Sequence, residues 1–158
     1  MITHIDPNAI ELAPPCVGWS TICLDNKAFI TLSYIQDIPD ELIDNTRVWM
    51  TGKPVTWEID GEGVIWTVHI DAADGCVKLD SPHGDHIETD VPSKTFLLRL
   101  IDEMLKYPYD WGTWRLEYDI CDNPIEIEDE ALWEKHIEAA AKKLTHDLNE
   151  VHDALIHA

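Results

Sequence analysis

Apolar and polar positions along this chain follow two periods, and the places where one gives way to the other mark its elements. "GWSTICLDNKAFITLSYI" holds two β-rich runs, at about 18 to 25 and 28 to 35, on either side of the polar break Asp25-Asn26-Lys27. "DIPDELIDNTRVWMTGKP" changes to a helical period. Pro39 suits a first turn, Asp40 and Glu41 complement the helix dipole, and Gly52 with Pro54 stops the helix, so it is predicted over about 39 to 50.

"VTWEIDGEGVIWTVHID" alternates on both sides of Gly61-Glu62-Gly63, which predicts a hairpin. Val55, Trp57 and Ile59 fall on one face, and Thr56, Glu58 and Asp60 on the other. A turn at Asp74-Gly75 leads to a third strand near 76 to 80. "VPSKTFLLRLIDEMLKY" returns to helix, with Ser93 as N-cap and Pro108 as terminator. In "WGTWRLEYDI" Trp114, Leu116, Tyr118 and Ile120 alternate with Arg115, Glu117 and Asp119, the pattern of a further strand. A long helix is predicted over about 128 to 156, its apolar stripe running from Trp133 and Ile137 through Leu144 and Leu148 to Val151 and Leu155.

Strands and helices arrive in blocks, without a repeated βαβ alternation. The expected fold is therefore α+β: one antiparallel sheet of about six or seven strands, packed on one face by two or three helices, with a long C-terminal helix. The 158 residues suit a single domain. Residues 1 to 15, ending in Pro14-Pro15, read as a loose segment, 17 to 120 as mostly sheet with two helices, and 128 to 156 as the terminal helix.

Charge changes this picture most. Against 31 acidic residues stand only 11 basic ones, a net charge of −20, while the 45% apolar fraction still supports a folded core. Such a field repels nucleic-acid backbones and anionic membranes and speeds encounter with basic proteins. Cys16, Cys23, Cys76 and Cys121 show no zinc-site spacing, and the N-terminal residues lack the basic and apolar regions of a secretion signal. A cytoplasmic protein with reduced thiols is expected.

The candidate partner surface follows from the predicted sheet. Glu58, Asp60, Glu117 and Asp119 would share its polar face, and Asp122, Glu126, Glu128, Asp129 and Glu130 would extend the same sign of charge. Trp57, Trp66 and Trp114 lie at apolar positions and are expected in the core. Trp111, in a predicted turn beside Tyr107 and Tyr109, is either an exposed anchor or a lid on the core.

Chemistry of another kind is concentrated in "SPHGDHIETD". His83 and His86 flank Gly84-Asp85 in what reads as a polar connecting loop, and they lack a local third metal ligand. The acids around them favour their protonated forms. As an enzyme, the chain would draw on His69, His83, Asp85, His86, Glu117 and Asp119. Glu117 and Asp119 would stand roughly 7 Å apart on a strand, but no hydrolase, nucleotide-binding or zinc-protease motif accompanies them. No cofactor or metal is expected.

The reading that follows is a non-enzymatic protein that binds and blocks a basic protein, as a bacterial immunity protein blocks a nuclease-like toxin. The runners-up are a phage or mobile-element mimic of DNA charge, and a hydrolase with a His/carboxylate or metal site. A homodimer formed through the C-terminal helix is a further expectation.

Overall fold

The computed structural model describes the backbone of residues 1–122 and 129–158 and the side chains of 1–118 and 129–158. Eight strands and four α-helices form the described fold: β1 (Ile2–Thr3), β2 (Ile10–Leu12), β3 (Trp19–Leu24), β4 (Ala28–Ser33), α1 (Ile38–Met50), β5 (Val55–Asp60), β6 (Ile65–Ile70), β7 (Cys76–Asp80), β8 (His86–Pro92), α2 (Ser93–Leu105), α3 (Pro108–Asp122) and α4 (Glu130–Ile156). The chain is α+β, with mostly antiparallel pairing.

Two sheets replace the single one expected. One has five strands in the order β1-β8-β7-β6-β5, the other three in the order β2-β3-β4. The division follows from α1, which interrupts the run of hairpins between β4 and β5. The core draws on both sheets and the helices: Ile22, Leu24 and Ile30 from the small sheet, Trp57, Ile59, Val68, Val77 and Leu79 from the large one, and Phe96, Leu100 and Leu148 from the helices. The helix α2 touches both sheets, and α4 packs on α1, α2 and α3. Its stripe of Ile137, Leu144, Leu148, Val151 and Leu155 is thereby buried within the chain.

The alternating segments form as their pattern dictates. In β5, Val55, Trp57 and Ile59 face the core while Thr56 and Glu58 face solvent. In α1, Pro39 sits in the first turn, and Asp37 caps the helix by accepting from the Asp40 amide at 3.2 Å.

Four expectations are corrected. The N-terminal segment is not loose: β1 pairs in parallel with β8, Asp90 accepts from the Ile5 amide at 2.8 Å, and β2 pairs with β3. The burial of Ile5, Ile10 and Leu12 fastens it, and the prolines act only after Leu12. Residues 86–92 are no loop but strand β8, whose Ile87, Thr89 and Val91 turn inward. Ser93 is not an N-cap: it begins α2 after Pro92, and its buried hydroxyl has no hydrogen-bond partner among the described residues.

"WGTWRLEYDI" is helix α3 and no strand. Pro108, read as a terminator, is the first residue of α3, where a missing amide hydrogen is harmless. Trp111 lies in no turn; it is fully buried, its ring 5.2 Å from that of Trp114. Among the described residues no helix is long and apolar enough to cross a membrane.

Candidate interaction site

The helices α3 and α4 pack against each other and set the geometry of the acidic end of the molecule. A Cβ on Gly112 would stand 2.8 Å from the Ala141 nitrogen, so the absence of a side chain there lets the two backbones meet. About one turn on, Arg115 bridges Asp40 of α1 and Asp147 of α4, the latter at 3.3 Å. Trp114 donates from Nε1 to the Gln36 carbonyl at 3.0 Å. These ties hold α3 from three directions.

Beside Arg115 lies a group that the sequence did not single out. Asp37 is buried, and burial first, then the hydrogen bond and charge of Asp40, push its carboxyl up to about 7 against the pull of Arg115. Only the fold brings Asp37, Asp40, Arg115 and Asp147 together, because they come from α1 with its cap, α3 and α4.

Helical geometry redistributes the expected partner surface. Glu117 and Asp119 sit on a helix and so do not share a sheet face with Glu58 and Asp60. Glu117 instead shares a helix face with Asp110, Thr113 and Trp114, the spacing i, i+3, i+4, i+7. It is half-buried, and burial raises its carboxyl above the usual range. No ion pair with Glu117 or Asp110 occurs among the described residues.

Across the helix pair, Asp129 caps α4 through the Ala131 amide at 2.9 Å and is exposed, as are Glu130, Glu134 and Glu138. The last three repeat every four residues and form one stripe, in which each like-charged i, i+4 pair disfavours the helix by about 0.2–0.5 kcal/mol. Asp119 and Asp122 belong to α3, but their side chains, like Glu126 and Glu128 altogether, lie outside the described residues. Trp111 is too deeply buried to anchor a partner.

The solvent face of the large sheet is less one-sided than expected. Glu58 is exposed on it, and Asp60 accepts from the Gly63 amide in the adjoining turn at 2.8 Å. The same face carries Lys78, His69 and His86, placed there by the pairs Thr56↔His69, His69↔Lys78 and Asp80↔His86. Asp80 is held by His69 Nε2 at 2.6 Å and by His86 Nδ1 at 2.7 Å. These hydrogen bonds lower the Asp80 carboxyl, and the Asp80 bond, seconded by the charges of Asp80 and Glu88, raises His86.

Two of the suspected histidines therefore converge, on an aspartate that was not among the suspects. His83 stays apart in the turn, its amide on Ser81 Oγ, and Asp85 is exposed beside it. The imidazoles hold different oxygens of Asp80, and among the described residues no three such side chains are placed to hold a metal ion. Next to them is a hollow of about 310 Å³ lined by Thr56, Lys78 and the two rings. The signal was in the sequence, because alternation puts His69, Asp80 and His86 on one face once residues 86–92 are read as a strand.

No family model, no curated protein and no solved structure matches the chain.

Proposed function

We propose that this protein binds and neutralises a basic protein, in the manner of a bacterial immunity protein set against a nuclease-like toxin, and that it does so without catalysis of its own. The observation that carries the reading is the α3–α4 end, where Glu117, Asp129, Glu130, Glu134 and Glu138 meet solvent while the nearby Arg115 is already committed to Asp40 and Asp147. Carboxylates without an ion-pair partner among the described residues attract a cationic surface and speed its encounter.

A mimic of DNA charge draws on the same physics but needs a longer track of negative charge. The described stripe on α4 spans two intervals of four residues, about 12 Å at the helical rise. That length suits a local patch on a folded protein better than a run of phosphates.

The test is purification from the native host followed by titration of the purified pair by calorimetry. Binding that weakens steeply between low and high salt, with a 1:1 stoichiometry, is the expected result. A captured partner of acidic pI, or an affinity indifferent to salt, defeats the reading. The hydrolase alternative rests on the Asp80–His86 pair beside its hollow. It predicts ester or phosphoester turnover that is lost in His86→Gln.

A further inference from the structure

Between α3, the start of α4 and the chain entering β3 lies a cavity of about 300 Å³. Its walls combine two kinds of chemistry. Asp110 and Glu117 supply carboxylates, while Val17 and Tyr109 supply exposed apolar surface above the buried Trp114 and Ile137. Val17 stands on its rim, 90% exposed, at φ +50. A β-branched residue in that left-handed region is strained, and together with Gly18 at φ +78 it forms the tip of the hairpin closed by Cys16 and Trp19. Asparagine or glycine would fit the turn with less strain, so the exposed valine is a choice that folding alone does not explain.

The carboxylates differ from those elsewhere in the fold. Glu103, more deeply buried, is matched by Arg99 at 3.0 Å and Lys106 at 2.8 Å. Glu117 loses part of its hydration to the cavity without such a match among the described residues. A cation entering the cavity would supply it. Arginine suits the walls better than lysine, because its planar head pairs bidentately with a carboxylate, is weakly hydrated, and packs flat against aromatic rings.

We propose that this cavity receives an arginine side chain of the basic partner, the guanidinium against Glu117 and the aliphatic stem across the exposed Val17. Tyr109 and Asp110, two helical turns away and about 10 Å along the axis, meet the residues that flank that arginine. The assignment rests on the basic-partner reading above and names its point of contact. Proton linkage accompanies it: pairing favours the ionised carboxylate, so binding strengthens as pH rises through the titration of Glu117.

The test uses the full chain and two synthetic peptides, acetyl-Gly-Arg-Gly-Lys-Gly-amide and the same sequence with citrulline in place of arginine, followed by NMR. The expected result is a saturable shift of the Trp114 indole and Glu117 carboxyl signals with the arginine peptide. Affinity should fall at least about fivefold with the citrulline peptide and in Glu117→Gln. Equal affinity for the two peptides, an unchanged affinity in Glu117→Gln, or no saturable shift at millimolar peptide overturns the assignment. If Glu130, Glu134 and Glu138 still give salt-dependent binding of the purified partner in that case, the basic-partner reading stands without the cavity. If all salt-dependent binding is absent, that reading falls as well.

Discussion

The solvent face of the large sheet and the α3–α4 end both carry carboxylates, but in opposite electrostatic states. On the sheet, Asp80 has an imidazole on each oxygen, Glu88 lies beside His86, and Lys78 stands across the ladder from Glu88. The charges there largely answer one another. At the α3–α4 end, Glu117 and the stripe Glu130, Glu134 and Glu138 form no ion pair among the described residues, with Lys135 and Lys142 the nearby cations on α4, while Arg115 is taken up by Asp40 and Asp147. Acidity summed over the chain hides this difference. A local surplus, not the net charge, marks where the proposed cationic partner would gain most.

The largest break in the comparison comes from removing the frame that presents the unbalanced side. Trp114→Ala should cost about 3–5 kcal/mol, because a fully buried indole and its hydrogen bond to Gln36 are lost together. Chemical denaturation measures it, and partner binding should fail only to the extent that the protein unfolds.

Reversing charge without touching the frame is the next test. Glu117→Lys, Glu130→Lys and Glu134→Lys combined should lower affinity for the basic partner by about 10- to 100-fold at low salt, chiefly through the association rate. Stopped-flow mixing separates the rates, and an unchanged unfolding midpoint shows the effect to be one of surface charge. An unaltered association rate would equate the two faces.

A smaller effect concerns the joint that supports α3. Asp37 has its carboxyl at about 7 in the folded protein against an ordinary 3.8, so the folded state holds a proton that the unfolded state releases earlier. The stability from this group is complete below the ordinary value and is lost as pH rises through about 7. The groups facing it are Asp40, which raises it, and Arg115, which opposes. Asp37→Asn keeps the helix cap and removes the titration. It should flatten the pH dependence of unfolding and raise stability above neutrality by on the order of 2 kcal/mol.

On the balanced side the expected effect on binding is nil. Asp80→Asn should return the His86 titration downward toward the ordinary histidine range, read by NMR, since the main cause of its upward shift is removed. Partner affinity should not move. If it does, the sheet face belongs to the interface.

The two regions were also unequally legible in the sequence. Residues 55–60 and 76–80 alternate cleanly, and their registers follow from burying one face of each strand. The first helix carried its own start and stop signals in Pro39, Asp40 and Gly52. The N-terminal strands, of two and three residues, are too short for any period to register. In α3 the sequence supports both periods: Trp114, Leu116, Tyr118 and Ile120 alternate, while Trp111, Trp114 and Tyr118 recur with helical spacing. Taking the first moved Glu117 to the wrong neighbours. Its true ones, Asp110, Thr113 and Trp114, are adjacent only on a helix.

By itself the sequence determined the α+β composition, the inward and outward faces of its well-patterned strands, the stripe of α4 and the surplus of acid. These depend on local periodicity and on counting, which need no partner segment. Tertiary structure alone decided that α3 is a helix, since its apolar residues had two periods to choose from and the close contact of Gly112 with Ala141 accommodates one of them. It also decided which charges are answered: Asp80 by His69 and His86, Asp40 and Asp147 by Arg115. Pairing depends on distance across elements far apart in the chain, and no pattern within one segment encodes it.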